Sequence, residues 1–247
     1  LSSRSEEAGI RLNRFLARCG AASRRGSDEL IASGLVTVNG KTADSPGIRV
    51  MPGDRVECGG RPVVLPRILT AAYNKPLGIE VTLSGKSAIS SVTASFPAGC
   101  VPVGRLDVDT SGLLLLSNDG DLTFRLTHPR WRVEREYLLV LDRQPSERTV
   151  DRLRAGVPIG RGDFCRPVGV ERAGPLGLRV ILVTGRYHEV RRMAEAAGLG
   201  LAGLERVRYG PVGLGSLERG RTRILSGAEL RSLYSCVGLD RTGIQGG

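Results

Sequence analysis

Gly104-Arg105-Leu106-Asp107-Val108-Asp109-Thr110-Ser111-Gly112-Leu113-Leu114-Leu115-Leu116 is the densest signal in the chain. A short polar loop with two carboxylates runs straight into four leucines. Such an apolar run reads as a buried strand, so the carboxylates sit where a loop enters the core. That setting limits solvent access and can tune a carboxylate's reactivity. Taken alone, the loop admits two plain readings. Asp107-x-Asp109-x-Ser111-Gly112 follows the opening of an EF-hand calcium loop, but its twelfth position is Asn118, where a bidentate Glu is needed. Asp109-Thr110-Ser111-Gly112 also fits a simple turn, with Asp107 as its local hydrogen-bonding partner.

Around this stretch, from residue 71 onward, apolar runs of strand length alternate with turns, as at 113–116, 137–141 and 178–183. Helical periodicity is confined to fewer segments, notably 147–155 and 189–197. The mixture predicts an α+β domain with a mainly antiparallel sheet, spanning 71–235. Upstream, residues 10–59 read as a separate small module. Leu12, Phe15, Leu16 and Cys19 share one helix face, and Gly20 is a natural stop. Ser23 is placed to cap a second helix that ends near Gly34. Asn39-Gly40 after Leu35-Val36-Thr37-Val38 is a strong hairpin signal. Residues 60–70 read as a linker, and 1–9 and 236–247 as tails.

The chain has 36 Lys and Arg against 25 Asp and Glu, a net charge of +11. All the basic residues except Lys41, Lys75 and Lys86 are Arg. An excess of planar guanidinium groups suits a polyanionic partner, because phosphates bind Arg bidentately and release counterions. The five cysteines have neither C-x-x-C spacing nor nearby His pairs, which argues against a zinc site and a disulfide framework. No phosphate-binding glycine loop is present, so nucleotide triphosphate use is not expected. No apolar run approaches the length of a membrane span. The first residues lack a secretory h-region, so a cytoplasmic protein is expected.

Residues 104–129, GRLDVDTSGLLLLSNDGDLTFRLTHP, resemble the signature of bacterial ribosomal RNA pseudouridine synthases of the RsuA/RluB/RluE/RluF family. Further blocks of that family follow in order. Tyr73-Asn74-Lys75-Pro76-Leu77-Gly78 resembles its N-K-P-x-G strand, and Arg135-Glu136-Tyr137 its R-E-Y segment. Gly185-Arg186-Tyr187-His188-Glu189-Val190-Arg191-Arg192-Met193 resembles G-R-x-x-Q-V-R-R-M, with Glu189 where Gln is common. Arg206-Val207-Arg208-Tyr209-Gly210-Pro211 resembles the R-x-R-Y-G-P of members that modify the large subunit. The stretch RLNRFLARCGAASRR, followed by LIASGLVTVNGK, resembles an S4 RNA-binding domain.

The resemblance implies an S4-like module of two helices and a β-hairpin, then a synthase domain with a bent, mainly antiparallel mixed sheet flanked by helices. It implies an isomerase that turns a uridine of ribosomal RNA into pseudouridine without metal or cofactor. Large-subunit RNA is the expected substrate. Small-subunit RNA is one alternative, and a non-catalytic RNA-binding or ribosome-assembly factor is another. Asp107 would be the essential carboxylate, Tyr137 would pack against the target base, and Arg191 would pair with Asp107. Arg11, Arg14, Ser23, Arg24 and Arg25 would face RNA from the S4-like module. Lys75, Arg105, Arg186, Arg192 and Arg208 would contact it from the catalytic domain. A monomer is expected. His128 is expected to serve a structural hydrogen bond, whereas His188 beside the arginine block is a weaker candidate for RNA contact.

Overall fold

The computed structural model describes residues 9–82 and 88–239. The N-terminal expectations fall out as read. Strand β1 (Ile10–Arg11) runs into helix α1 (Leu12–Arg18), followed by α2 (Arg24–Ala32). Ser23 caps α2, its hydroxyl accepting from Gly26 N at 3.1 Å. Gly20 and Gly34 follow the two helices at φ +74° and +69°, the left-handed stops expected of them. Next come β2 (Val36–Val38), β3 (Lys41–Thr42), β4 (Arg49–Val50), β5 (Val56–Cys58) and β6 (Arg61–Val63). Asn39 and Gly40 adopt φ +52° and +78°, as a tight β2–β3 hairpin requires. The module has its own core of Leu12, Phe15, Leu16, Ile31, Val36 and Val56.

Two boundaries differ from the expectation. Strand β6 lies in the stretch read as linker, yet it pairs antiparallel with β5 and completes a sheet of order β3-β2-β5-β6. Gly59 and Gly60 both take positive φ and make the β5–β6 turn. Of the expected tails at 1–9 and 236–247, residues 1–8 and 240–247 lie outside the described residues, whereas Val237 is buried in the core and Leu239 packs against it, so the second unit runs past the expected boundary at 235.

The second unit begins with β7 (Thr70–Lys75), α3 (Ala88–Ala94), β8 (Val101–Pro102), β9 (Ser111–Ser117) and α4 (Gly120–Thr127). It continues through β10 (Arg135–Leu141), α5 (Glu147–Ala155), β11 (Val157–Pro158), β12 (Phe164–Cys165), β13 (Gly169–Arg172) and β14 (Gly177–Leu182). It ends with α6 (Glu189–Ala196), β15 (Leu201–Tyr209), β16 (Val212–Gly213), β17 (Thr222–Ile224) and α7 (Gly227–Ser235). One large sheet of order β13-β14-β10-β15-β9-β7-β17 organises it, with β16 on β15 and β8 on β9. The β15–β9 pair is parallel, while the other pairs described in this sheet are antiparallel.

Helices cover the sheet and bury it. Leu113 and Leu115 of β9 pack with Leu122 and Leu126 of α4 and Leu233 and Tyr234 of α7. Leu114 and Leu116 point the other way, toward Tyr73, Ile89 and Leu106. A strand buried on both faces has no reason to alternate, which explains the four leucines. The far half of the sheet packs Leu139, Val180 and Leu204 against Val150 and Leu153 of α5 and Val190 and Met193 of α6. Asp119 accepts from Asp121 N and Leu122 N to cap α4, and also takes a 2.7 Å bond from Tyr234 Oη. The signature's polar turn after the leucines is therefore a helix cap. No helix among the described residues is long and apolar enough to cross a membrane.

The two units touch. Arg14 on α1 forms an ion pair with Asp121 on α4 at 2.5 Å. An added Cβ at Gly99 would lie 2.7 Å from Arg18 O, so the end of α1 rests on the 97–99 turn with no room for a side chain.

Candidate active site

Four distant segments close around one cleft of about 330 Å³. They are the loop at 104–110, Arg135 and Tyr137 of β10 with Leu204 and Arg206 of β15, and residues 185–191 leading into α6. Asp107, Tyr137 and Arg191 all line it, which gathers the three expected catalytic residues in one place.

The 104–110 loop is a turn, but its closing bond uses the main chain: Thr110 N donates to Asp107 O at 3.1 Å. That leaves the Asp107 carboxylate, about one-third exposed, to face the cleft. Lys75 fastens the loop from behind. Its Nζ donates to Pro76 O and Ile79 O at 3.0 and 2.8 Å and reaches Val108 O at 3.4 Å. Gly78 N adds a 2.8 Å bond to Val108 O. Burial lowers the Lys75 ammonium to about 8, against the opposing pull of the Asp107 and Asp109 charges. With no side-chain surface exposed, Lys75 is not placed to meet RNA, contrary to the sequence-based expectation. All six residues of β7 are buried, so a basic residue there must point into protein.

Arg191 also departs from the expected pattern. Its Nη2 bonds Asp109 O at 2.7 Å and Asp109 Oδ2 at 2.9 Å, rather than the Asp107 carboxylate. Asp109 offers a carbonyl and a carboxylate together, two acceptors for one guanidinium. Across the cleft, His188 Nε2 lies 3.5 Å from Asp107 Oδ1.

Tyr137 packs against the cores on both halves of the sheet, and its aromatic body is fixed by that position. Opposite it the β10–β15 register skips: Glu136 faces Arg208, while Tyr137 faces Arg206, leaving Val207 as an extra residue. A bulge of this kind re-aims side chains. It sends Arg208 toward Glu136 and Arg206 toward the cleft.

Arg206 and Arg135 also line the cleft, a place the sequence reading did not give them: it grouped Arg206 with the arginines expected to grip the RNA backbone. Arg206 is 2% exposed and donates from Nε to Leu113 O at 2.7 Å. Arg135 donates to Leu126 O and Tyr209 Oη, and both guanidinium groups lie 4.9 Å from the Tyr209 ring. Each begins a motif block, which was the available signal.

The RNA phosphates need cations that are not already paired. Arg208 is held by Glu136 and Glu134, Arg192 by Asp163 and three carbonyls, and Arg186 by Glu189 and Asp163. These three expected RNA contacts, and Arg14 through its ion pair with Asp121, are spoken for within the protein. Glu189, in the place where Gln is common, accepts from Thr184 Oγ1 and from the backbone and side chain of Arg186. Arg11, Arg24, Arg25 and Arg105 are exposed and have no side-chain partner among the described residues. His128 plays its expected structural part, its Nδ1 accepting from Arg130 N at 3.2 Å.

The family model for RNA pseudouridylate synthases matches residues 70–196, just over half of the chain, and includes Asp107, Tyr137 and Arg191 of the cleft. The chain belongs to the RNA pseudouridylate synthase family. The S4 domain model matches residues 10–56 of this synthase. A relative named as an uncharacterized RNA pseudouridine synthase from Aquifex aeolicus is 37% identical over 239 residues, covering 93% of this chain and 96% of its own. The dual-specificity RNA pseudouridine synthase RluF of Escherichia coli is 34% identical, over 94% of this chain and 80% of its own. The ribosomal large subunit pseudouridine synthase B of Xanthomonas campestris is 37% identical, over 83% of this chain and 44% of its own. Among solved structures, a pseudouridylate synthase crystal structure superposes with a TM-score of 0.65 at 27% identity, over 91% of this chain and all of the other. The synthase is thus an isomerase of the RluF/RluB type, built as an S4 domain followed by a mixed-sheet catalytic domain.

Proposed function

We propose that this synthase converts one uridine of large-subunit ribosomal RNA to pseudouridine, acting as a cytoplasmic monomer with Asp107 as the carboxylate that works on the ribose. The observation that carries the reading is the Asp107 carboxylate facing a cleft that Tyr137 also lines. A binding module has no need of such a pair. The R-x-R-Y-G-P block and the similarity to the ribosomal large subunit pseudouridine synthase B of Xanthomonas favour the large subunit.

The reaction breaks the bond from uracil N1 to the ribose anomeric carbon and forms one from uracil C5 to that carbon. A proton leaves C5 and N1 takes one up, so atoms and electrons balance. Asp107 acts on the sugar, either by attacking the anomeric carbon or by removing the 2′ proton. Tyr137 offers its face to the detached base and its hydroxyl for deprotonation at C5. The target base has to leave its stack to reach the cleft, at a cost of a few kcal/mol in a duplex. Arg105, exposed at the lip, is placed to hold the displaced backbone. Arg11, Arg24 and Arg25 supply further phosphate contacts from the S4 domain, and Ser23 orders the helix that carries the last two.

The test is tritium release from transcripts labelled at uracil C5, with large- and small-subunit fragments run side by side. Release from large-subunit RNA alone supports the proposal. Release from small-subunit RNA alone transfers the substrate, and tight binding without release from either would favour a non-catalytic factor.

A further inference from the structure

Next to Asp107, at the rim of the cleft, is a group with no evident task in the folded protein. Tyr187 is 59% exposed, in a chain whose aromatic content is only 4%. Its ring lies flat on His188, with centroids 3.9 Å apart and planes within 13°. The Arg161 guanidinium sits 5.7 Å from the Tyr187 centroid. Arg161 has no carboxylate partner among the described residues, unlike Arg186 and Arg192 close by.

The backbone is shaped to hold this arrangement. Gly160, Arg161 and Gly162 all take positive φ, and Arg192 anchors the base of their loop through Ile159 O and Gly160 O. His188 adopts φ +48° at the N-cap of α6 and makes no capping bond with its side chain. A left-handed conformation is costly for a non-glycine residue and tends to persist at functional sites. Its result here is to lay the imidazole face on Tyr187 while Nε2 comes within 3.5 Å of Asp107.

Exposed rings add little to a core, whereas a flat aromatic beside an unpaired arginine suits an unstacked nucleobase. We propose that Tyr187, backed by His188 and flanked by Arg161, is a stacking subsite for the nucleobase adjacent in sequence to the target uridine. This rests on the functional reading above. The imidazole stacked on Tyr187 also reaches Asp107, so a base received on that ring belongs to a neighbouring nucleotide. Two glycines beside Arg161 let its guanidinium swing off the ring and close over an incoming base. Stacking tolerates any base and favours the larger face of a purine, so the subsite sets a preference at that position.

The test places 2-aminopurine on either side of the target uridine in an RNA fragment that the unsubstituted protein modifies. Binding is followed with Asp107→Asn as the background, so that no turnover occurs. Fluorescence should be quenched at one of the two positions, and Tyr187→Ala should remove most of that quenching while Tyr187→Phe retains it. In the catalytically intact protein, Tyr187→Ala should raise KM by about tenfold with kcat changed far less, and Tyr187→Phe should match the unsubstituted protein. Quenching untouched by Tyr187→Ala at both positions would overturn the subsite. So would a fall in kcat at unchanged KM, which would mean that Tyr187 merely props His188. Failure of the unsubstituted protein to release tritium from any RNA is read separately and counts against the functional reading itself.

Discussion

Arg191 clamps α6 to the catalytic loop through Asp109, and the consequence can be worked out bond by bond. The carboxylate of Asp109 is 63% exposed, so solvent screens its ion pair to about 0.5–1 kcal/mol. The bond to Asp109 O joins a charged donor to a main-chain carbonyl and contributes about 1.5 kcal/mol. Asp109→Asn keeps the carbonyl and loses only the screened pair. The expected loss of stability is about 0.5–1 kcal/mol, and the same energy applied to the transition state lowers kcat by about two- to fivefold. Arg191→Met loses both bonds and the cation beside Asp107. Stability should then fall by about 2 kcal/mol. With the loop able to shift by about 1 Å, kcat should fall roughly 100-fold. Urea unfolding gives the stabilities and tritium release gives kcat for each variant. Asp109→Asn as inactive as Asp107→Asn would refute the reasoning, since it would make Asp109 the reacting group. Arg191→Met with nearly full activity would refute the clamp.

Other perturbations test the supports of the site. Lys75 is lowered to about 8 by burial, so its charge disappears from behind the loop above that pH. Turnover should decline on an alkaline limb near pH 8, and Lys75→Met should lack that limb; an identical limb in the variant would rule Lys75 out as its source. The sign for stability is opposite: between about pH 8 and 10.5 the unfolded chain binds more protons at this group, so its contribution to stability rises with pH. Gly112 pairs with Arg206 at φ +100°, and an added Cβ would run into the Arg206 carbonyl. Gly112→Ala should cost about 3 kcal/mol, visible as a lowered urea midpoint, and an unchanged midpoint would contradict the close approach of β9 and β15. Arg24→Ala with Arg25→Ala should flatten the log–log salt dependence of RNA binding by about 1.4, the share of two phosphate contacts. An unaltered slope would remove these residues from the RNA-binding surface.

Much of the fold was legible because burial imposes its period on the sequence. The helical spacing at 147–155 and 189–197 became α5 and α6, and the apolar runs became β9, β10 and β14. Strand β6 was missed because Arg61-Pro62-Val63 lies at a sheet edge, where exposure leaves no pattern and Pro is tolerated. In the site, Asp107 and Tyr137 could be picked out by the blocks that carry them. The partner of Arg191 could not, because the choice between Asp107 and Asp109 depends on how the loop turns. Arg206 and Arg208 stand two apart and would share a face on a regular strand. The bulge at Val207 separates them, burying one in the cleft and handing the other to two glutamates.

The central claim, that Asp107 is the carboxylate performing the isomerisation, is tested most directly by Asp107→Asn. Tritium release from C5-labelled RNA and RNA affinity would be measured together on the full chain. Turnover should vanish while affinity stays within a few-fold of the unsubstituted protein, because the lost charge acts on the sugar and not on the phosphates. Substantial release by Asp107→Asn would contradict the assignment.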